Sequence, residues 1–137
     1  MVAERGIVGR IEPRDLARRP PLGYDSAKMQ LEFVHLPAFD RTLARLGITD
    51  DELREMQQQI LDRPGIGAEI PGTGGVIKLR VALRGRGKRG GARLLYFWLR
   101  RGSLIYLLFI YPKRVQENLT PDQLRQIRRM VDDITRE

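Results

Sequence analysis

IPGTGGVIKLRVALRGRGKRGGAR, Ile70 to Arg93, is the stretch on which the rest of the chain turns. It reads as a glycine-rich turn, a strand, a glycine-spaced basic loop and the start of a second strand. Within Val76 to Leu83 (VIKLRVAL), Lys78 and Arg80 stand two residues apart and share a face, while Ile77, Leu79 and Val81 point to the other. Outward from this run the charge is lopsided. No acidic residue occurs between Glu69 and Glu117, yet that interval holds Lys78, Arg80, Arg84, Arg86, Lys88, Arg89, Arg93, Arg100, Arg101, Lys113 and Arg114. A charge run is usually a solvated surface, and solubility is the plain alternative here. Alternation with apolar residues instead aims these charges at one sheet face. Like charges held together oppose the compact state, so a polyanion is the natural partner.

The strand after the loop, Arg93 to Leu99 (RLLYFWL), puts Arg93, Leu95, Phe97 and Leu99 on one side and Leu94, Tyr96 and Trp98 on the other. Arg101-Gly102-Ser103 makes a tight connection. Leu104 to Tyr111 (LIYLLFIY) is apolar almost throughout and predicts a central strand buried on both faces. Upstream, Met29 to Val34 (MQLEFV) suits a short strand, with His35 at its end. Pro37 opens a helix carrying Phe39, Leu43 and Leu46 on one stripe, and Gly47 stops it. Thr49 and Glu52 form a capping box at the head of a second helix, striped by Leu53, Met56 and Ile60 and ended by Pro64-Gly65. Downstream, Thr120, Pro121 and Gln123 begin a last helix, with Leu124, Ile127, Val131 and Ile134 on one side and Arg125, Arg128 and Arg129 on the other. The order is strand, two-helix hairpin, three-strand antiparallel meander and C-terminal helix, a small α+β domain. Residues 1–28 have mixed charge, three prolines and no periodicity, and are expected to be a disordered or loosely attached extension; residues 29–137 form the domain.

The chain of 137 residues suits a single domain, and its net charge of +8 points to nucleic acid or an anionic surface. With no cysteine, disulfides, thiolate metal sites and a cysteine nucleophile are excluded. A single histidine, His35, rules out multi-histidine metal sites and leaves little room for a serine–histidine–aspartate arrangement. No apolar run reaches the roughly eighteen residues of a membrane span, and the N-terminus lacks the apolar core of a signal peptide. A cytoplasmic location is the expectation.

Two motifs are decoys. Gly85, Gly87 and Gly90 satisfy G-x-G-x-x-G, but a dinucleotide site needs a helix to begin there, and RLLYFWL follows. Gly87-Lys88 fails as a P-loop because Arg89 stands where serine or threonine must hold the metal. Flexibility, or close approach to a phosphate backbone, explains these glycines. The charge field contains no carboxylate pair and no ligands for a metal, and no cofactor is implied. Chemistry there must use lysine, arginine and tyrosine. Such groups suit phosphodiester cleavage in RNA: arginine holds charge building on phosphorus, and a lysine crowded by other cations gives up its proton more readily. Tyr96 and Trp98 are either core aromatics or a stacking surface for a base. Tyr111 either packs or transfers a proton. Arg84, Arg86, Lys88 and Arg89 are candidates for RNA contact more than for bond breaking.

The segments IPGTGGVIKLR, GRGKRGGARLLYFW, LLFIYPKR and LTPDQL resemble the HigB-type branch of the RelE/ParE toxin superfamily, over roughly Met29 to Ile134. The resemblance implies a RelE-like fold and a type II toxin–antitoxin toxin. It further implies a ribosome-dependent endoribonuclease that cuts mRNA without a metal, leaving a 2′,3′-cyclic phosphate and a 5′-OH. The implied partners are the ribosome, mRNA and a helix-turn-helix antitoxin of HigA type, with no membrane. Carried across by position, Lys78 matches a catalytic strand lysine, Arg80 and Arg93 match phosphate-stabilising arginines, and Lys113 or Arg114 matches the basic group after the last strand. The sequence departs from RelE at Val76, where RelE carries a second catalytic lysine, and Lys88 is the candidate substitute. Two other functions compete: a ParE-like inhibitor that binds DNA gyrase, and a non-catalytic nucleic-acid-binding module. Both need charge, but neither needs Lys78, Arg80 and Arg93 to meet near the Lys113-Arg114 turn.

Overall fold

The computed structural model describes residues 4–6, by their backbone, together with 31–83 and 91–136. Glu4–Gly6 forms β1 and Glu32–His35 forms β2, ending at the histidine. Helix α1, Pro37–Arg45, starts on a proline in its first turn and is stopped by Gly47, whose φ of +64° is a left-handed value that favours glycine. Helix α2, Asp50–Asp62, has the expected capping box. Glu52 N–H donates to Thr49 Oγ1 at 3.1 Å, and Thr49 N–H donates to Glu52 Oε1 at 3.0 Å. Four more strands follow: β3 (Ala68–Glu69), β4 (Ile77–Val81), β5 (Ala92–Leu99) and β6 (Leu104–Pro112), before the closing helix α3 (Pro121–Arg136). The α3 N-terminus is capped reciprocally by Thr120 and Gln123, as the sequence predicts.

The strands make one sheet in the order β1-β2-β6-β5-β4-β3. β2 runs parallel to β6, and every other pair is antiparallel. The parallel pair follows from the α1–α2 hairpin and the meander lying between those strands in sequence, which gives the chain length enough to cross over. β6 sits between β2 and β5, which accounts for its nearly continuous apolar sequence.

Each sheet face carries its own core. The α1–α2 side gathers Phe33, Phe39, Met56, Ile60, Leu79, Leu94, Tyr96 and Leu107. The α3 side gathers Val76, Leu95, Phe97, Tyr106, Leu108, Ile127, Val131 and Ile134. Each large side chain buried this way contributes on the order of 1.5–3 kcal/mol. Between these faces the register shifts at Leu95/Tyr96: Leu95 opposes Phe109 and Tyr96 opposes Leu107, leaving Leu108 as the extra residue of a bulge.

Three details differ from the sequence expectation. β3 is too short and too exposed for alternation to mark it; it is reached through Gly67, where a Cβ would lie 2.6 Å from the Lys78 carbonyl oxygen. The β5–β6 connection is a turn of 3₁₀ helix, Arg100–Gly102, closed by Ser103 in the left-handed region. The extension expected at 1–28 contributes β1, whose backbone pairs with β2; its remaining residues lie outside the described ones, as does the basic loop 84–90.

Candidate functional site

Strand pairing assembles the site. Arg80 on β4 lies directly opposite Arg93 on β5, which in turn lies opposite Tyr111 on β6. One step along, Lys78, Leu95 and Phe109 form the parallel row. Directly opposed residues on one face hold their Cβ atoms about 5 Å apart. Lys78, Arg80, Arg93 and Tyr111 therefore share one patch of sheet, on the α3 side. Lys78 is half-buried and Arg80 exposed. At the end of β6, Lys113 N–H donates to the Gly91 carbonyl at 3.2 Å, which ties the exposed Lys113-Arg114 turn to the start of β5. Gly91 is required there: its φ is +67°, and a Cβ would sit 2.4 Å from the Val81 carbonyl oxygen.

Arg93 is the least exposed cation of the patch, with 3% of its surface accessible. One terminal nitrogen donates to the Ala92 carbonyl at 3.2 Å, the other lies 3.5 Å from Glu117 Oε1, and Nε is buried with no hydrogen-bond acceptor. Tyr111 is also buried, and its hydroxyl donates to the Glu117 carbonyl oxygen at 3.2 Å. Burial pushes the Tyr111 phenol above its ordinary value; the nearby Arg93 charge opposes this, and Glu117 adds to it. Glu117 is the residue the sequence reading missed. It appeared only as the downstream limit of the basic run, but a buried arginine needs a counter-charge, and the first carboxylate after the strand supplies one.

Other expected site residues lie elsewhere. Tyr96 is fully buried, on the α1–α2 face, and its hydroxyl donates to the Ile66 carbonyl at 2.6 Å. A ring in that position is core and has no surface on which to stack a base. Burial pushes its phenol well up. Trp98 also packs on the α1–α2 side, against Gly65, with the Arg100 guanidinium 4.5 Å from its ring centre. Tyr111 lies on the same face as Arg93 and is buried in the α3-side core. Arg93 itself is sealed from solvent. Val76 is fully buried under α3. Arg84, Arg86, Lys88 and Arg89 lie outside the described residues. Among the described residues no group of three histidine, aspartate or glutamate side chains is placed to hold a metal, and no helix is long and apolar enough to cross a membrane.

Residues 35–136 match the family model of the RelE toxin of the RelE/RelB toxin–antitoxin system. The chain belongs to the RelE toxin family. The matched span runs from the end of β2 to the end of α3 and contains every residue of the patch. The mixed α+β architecture is that of a RelE-like fold. As a RelE-family toxin, the protein has an antitoxin as its implied partner.

Proposed function

We propose that this RelE-family toxin is a ribosome-dependent, metal-independent mRNA endonuclease of the HigB-type branch. It acts in the cytoplasm and is neutralised by a helix-turn-helix antitoxin of HigA type. The observation that carries this reading is the row Arg80–Arg93–Tyr111 with Lys78 beside it, three strands contributing to one face. Like charges directly opposed cost stability, so a functional requirement explains their retention better than folding does. The HigB-type assignment rests on the glycine-spaced basic loop and on the PKR turn after β6.

In the proposed reaction, Arg80 and the Lys113-Arg114 turn seat the RNA backbone. The Lys78 amine takes the proton of a ribose 2′-OH as that oxygen attacks phosphorus. The new 2′-O–P bond forms while the P–O5′ bond breaks, and the Lys113 ammonium returns a proton to the departing 5′ oxygen. Arg80 and Arg93 hold the charge that accumulates on the phosphoryl oxygens. The products are a 2′,3′-cyclic phosphate and a 5′-OH. Expression without antitoxin should stop translation within minutes and create new message 5′ ends, and Lys78→Ala should prevent both while the protein still folds. Intact message together with DNA damage would transfer the assignment to gyrase inhibition.

A further inference from the structure

Arg93 presents a contradiction that Glu117 resolves. The proposed chemistry needs its guanidinium to touch phosphate, yet only 4% of its side chain is accessible. The anion beside it is the Glu117 carboxylate at 3.5 Å, on a side chain that is itself 52% exposed. That contact is longer than the roughly 2.7–2.9 Å of a strong charge-assisted hydrogen bond, and it engages one nitrogen of the guanidinium while Nε stays without an acceptor. The pairing is therefore weak and one-sided. The Glu117 main chain, by contrast, is held, because its carbonyl accepts the Tyr111 hydroxyl at 3.2 Å. The side chain can turn into solvent without moving its anchor.

Resting on the RNA-cleaving reading, we propose that Glu117 is a phosphate surrogate. In the free toxin its carboxylate fills the anion position of Arg93, and a phosphodiester must displace it before Arg93 can act. Glu117 is thus a positioning residue that raises the affinity any anion needs before it engages Arg93. A polyanion held at the same time by Lys78, Arg80 and Lys113 displaces the carboxylate, whereas a lone phosphate ion, with fewer contacts, does so poorly.

The test measures binding of two probes, a single-stranded 2′-deoxy oligonucleotide that cannot be cleaved and inorganic phosphate. The proteins are wild type, Glu117→Gln, Arg93→Gln and the double variant, each checked for cooperative unfolding well above the assay temperature. Glutamine keeps the shape and leaves the Tyr111 contact intact; Glu117→Ala serves as a second variant if Gln folds poorly. Glu117→Gln should bind both probes about 2- to 5-fold more tightly. In the Arg93→Gln background the same change should have no effect. That background separates release of Arg93 from the general gain any protein shows toward a polyanion on losing a negative charge. Unchanged or weaker binding by Glu117→Gln overturns the assignment, as does a gain that persists without Arg93. An Arg93-dependent gain by Glu117→Gln, together with message left uncut on ribosomes by the wild type, would leave Glu117 as assigned and sink the RNA-cleaving reading instead.

Discussion

Replacing Arg93 by methionine should stabilise the protein while abolishing its toxicity. The guanidinium is buried with one donor unpaired, which costs about 1–3 kcal/mol. Its contact with the half-exposed Glu117 returns no more than about 1 kcal/mol. Arg80, directly opposite, adds a few tenths to about 1 kcal/mol of repulsion. Methionine retains most of the apolar stem, and Glu117 rehydrates at little cost. The expected gain is about 1–2 kcal/mol, or on the order of 3–8 °C in melting temperature for a domain of this size. Urea and thermal unfolding give the stability, and translation rate after induction gives the activity. A melting temperature lowered by a similar margin would refute the reasoning, because Arg93 would then be an anchor kept for folding.

Other outcomes follow from single contacts. Gly91→Ala should destabilise by about 2–4 kcal/mol, since the added methyl meets the Val81 carbonyl oxygen in a left-handed backbone conformation; denaturant midpoints check this. Tyr96→Phe should cost about 1 kcal/mol by leaving the Ile66 carbonyl without its donor, and should spare RNA cleavage. The same variant has a pH signature. The folded-state value of Tyr96 is raised by burial, so its contribution is fully present below the ordinary tyrosine value of about 10 and is lost as pH rises beyond it. Stability of the wild type should therefore fall above about pH 10 more steeply than that of Tyr96→Phe, and equal slopes would contradict the sign.

Much of this architecture could be read from the chain because its signals are local. Capping boxes at Thr49 and Thr120, the stop at Gly47 and the period-two pattern of β4 and β5 each depend on neighbours within a few residues. The same alternation set Tyr96 and Trp98 opposite Arg93, so their placement away from the site was legible even though their aromatic chemistry suggested RNA contact. β3 was not legible, because two exposed residues carry no pattern and its pairing depends on Gly67 passing close to the β4 backbone. Glu117 was hidden for a different reason. Its pairing with Arg93 spans separate elements and is created by tertiary closure of the segment after β6, which composition does not record.

Joint action of Lys78, Arg80 and Arg93 on an RNA linkage is what would set this toxin apart from a gyrase inhibitor or a simple nucleic-acid binder. Its most direct test is the end chemistry of message recovered from translating ribosomes incubated with purified toxin. Fragments should carry 2′,3′-cyclic phosphate and 5′-OH ends, and none should form with a folded Lys78→Ala/Arg80→Ala variant. Uncut message in the wild-type reaction, or the same ends at the same rate with that variant, would contradict it.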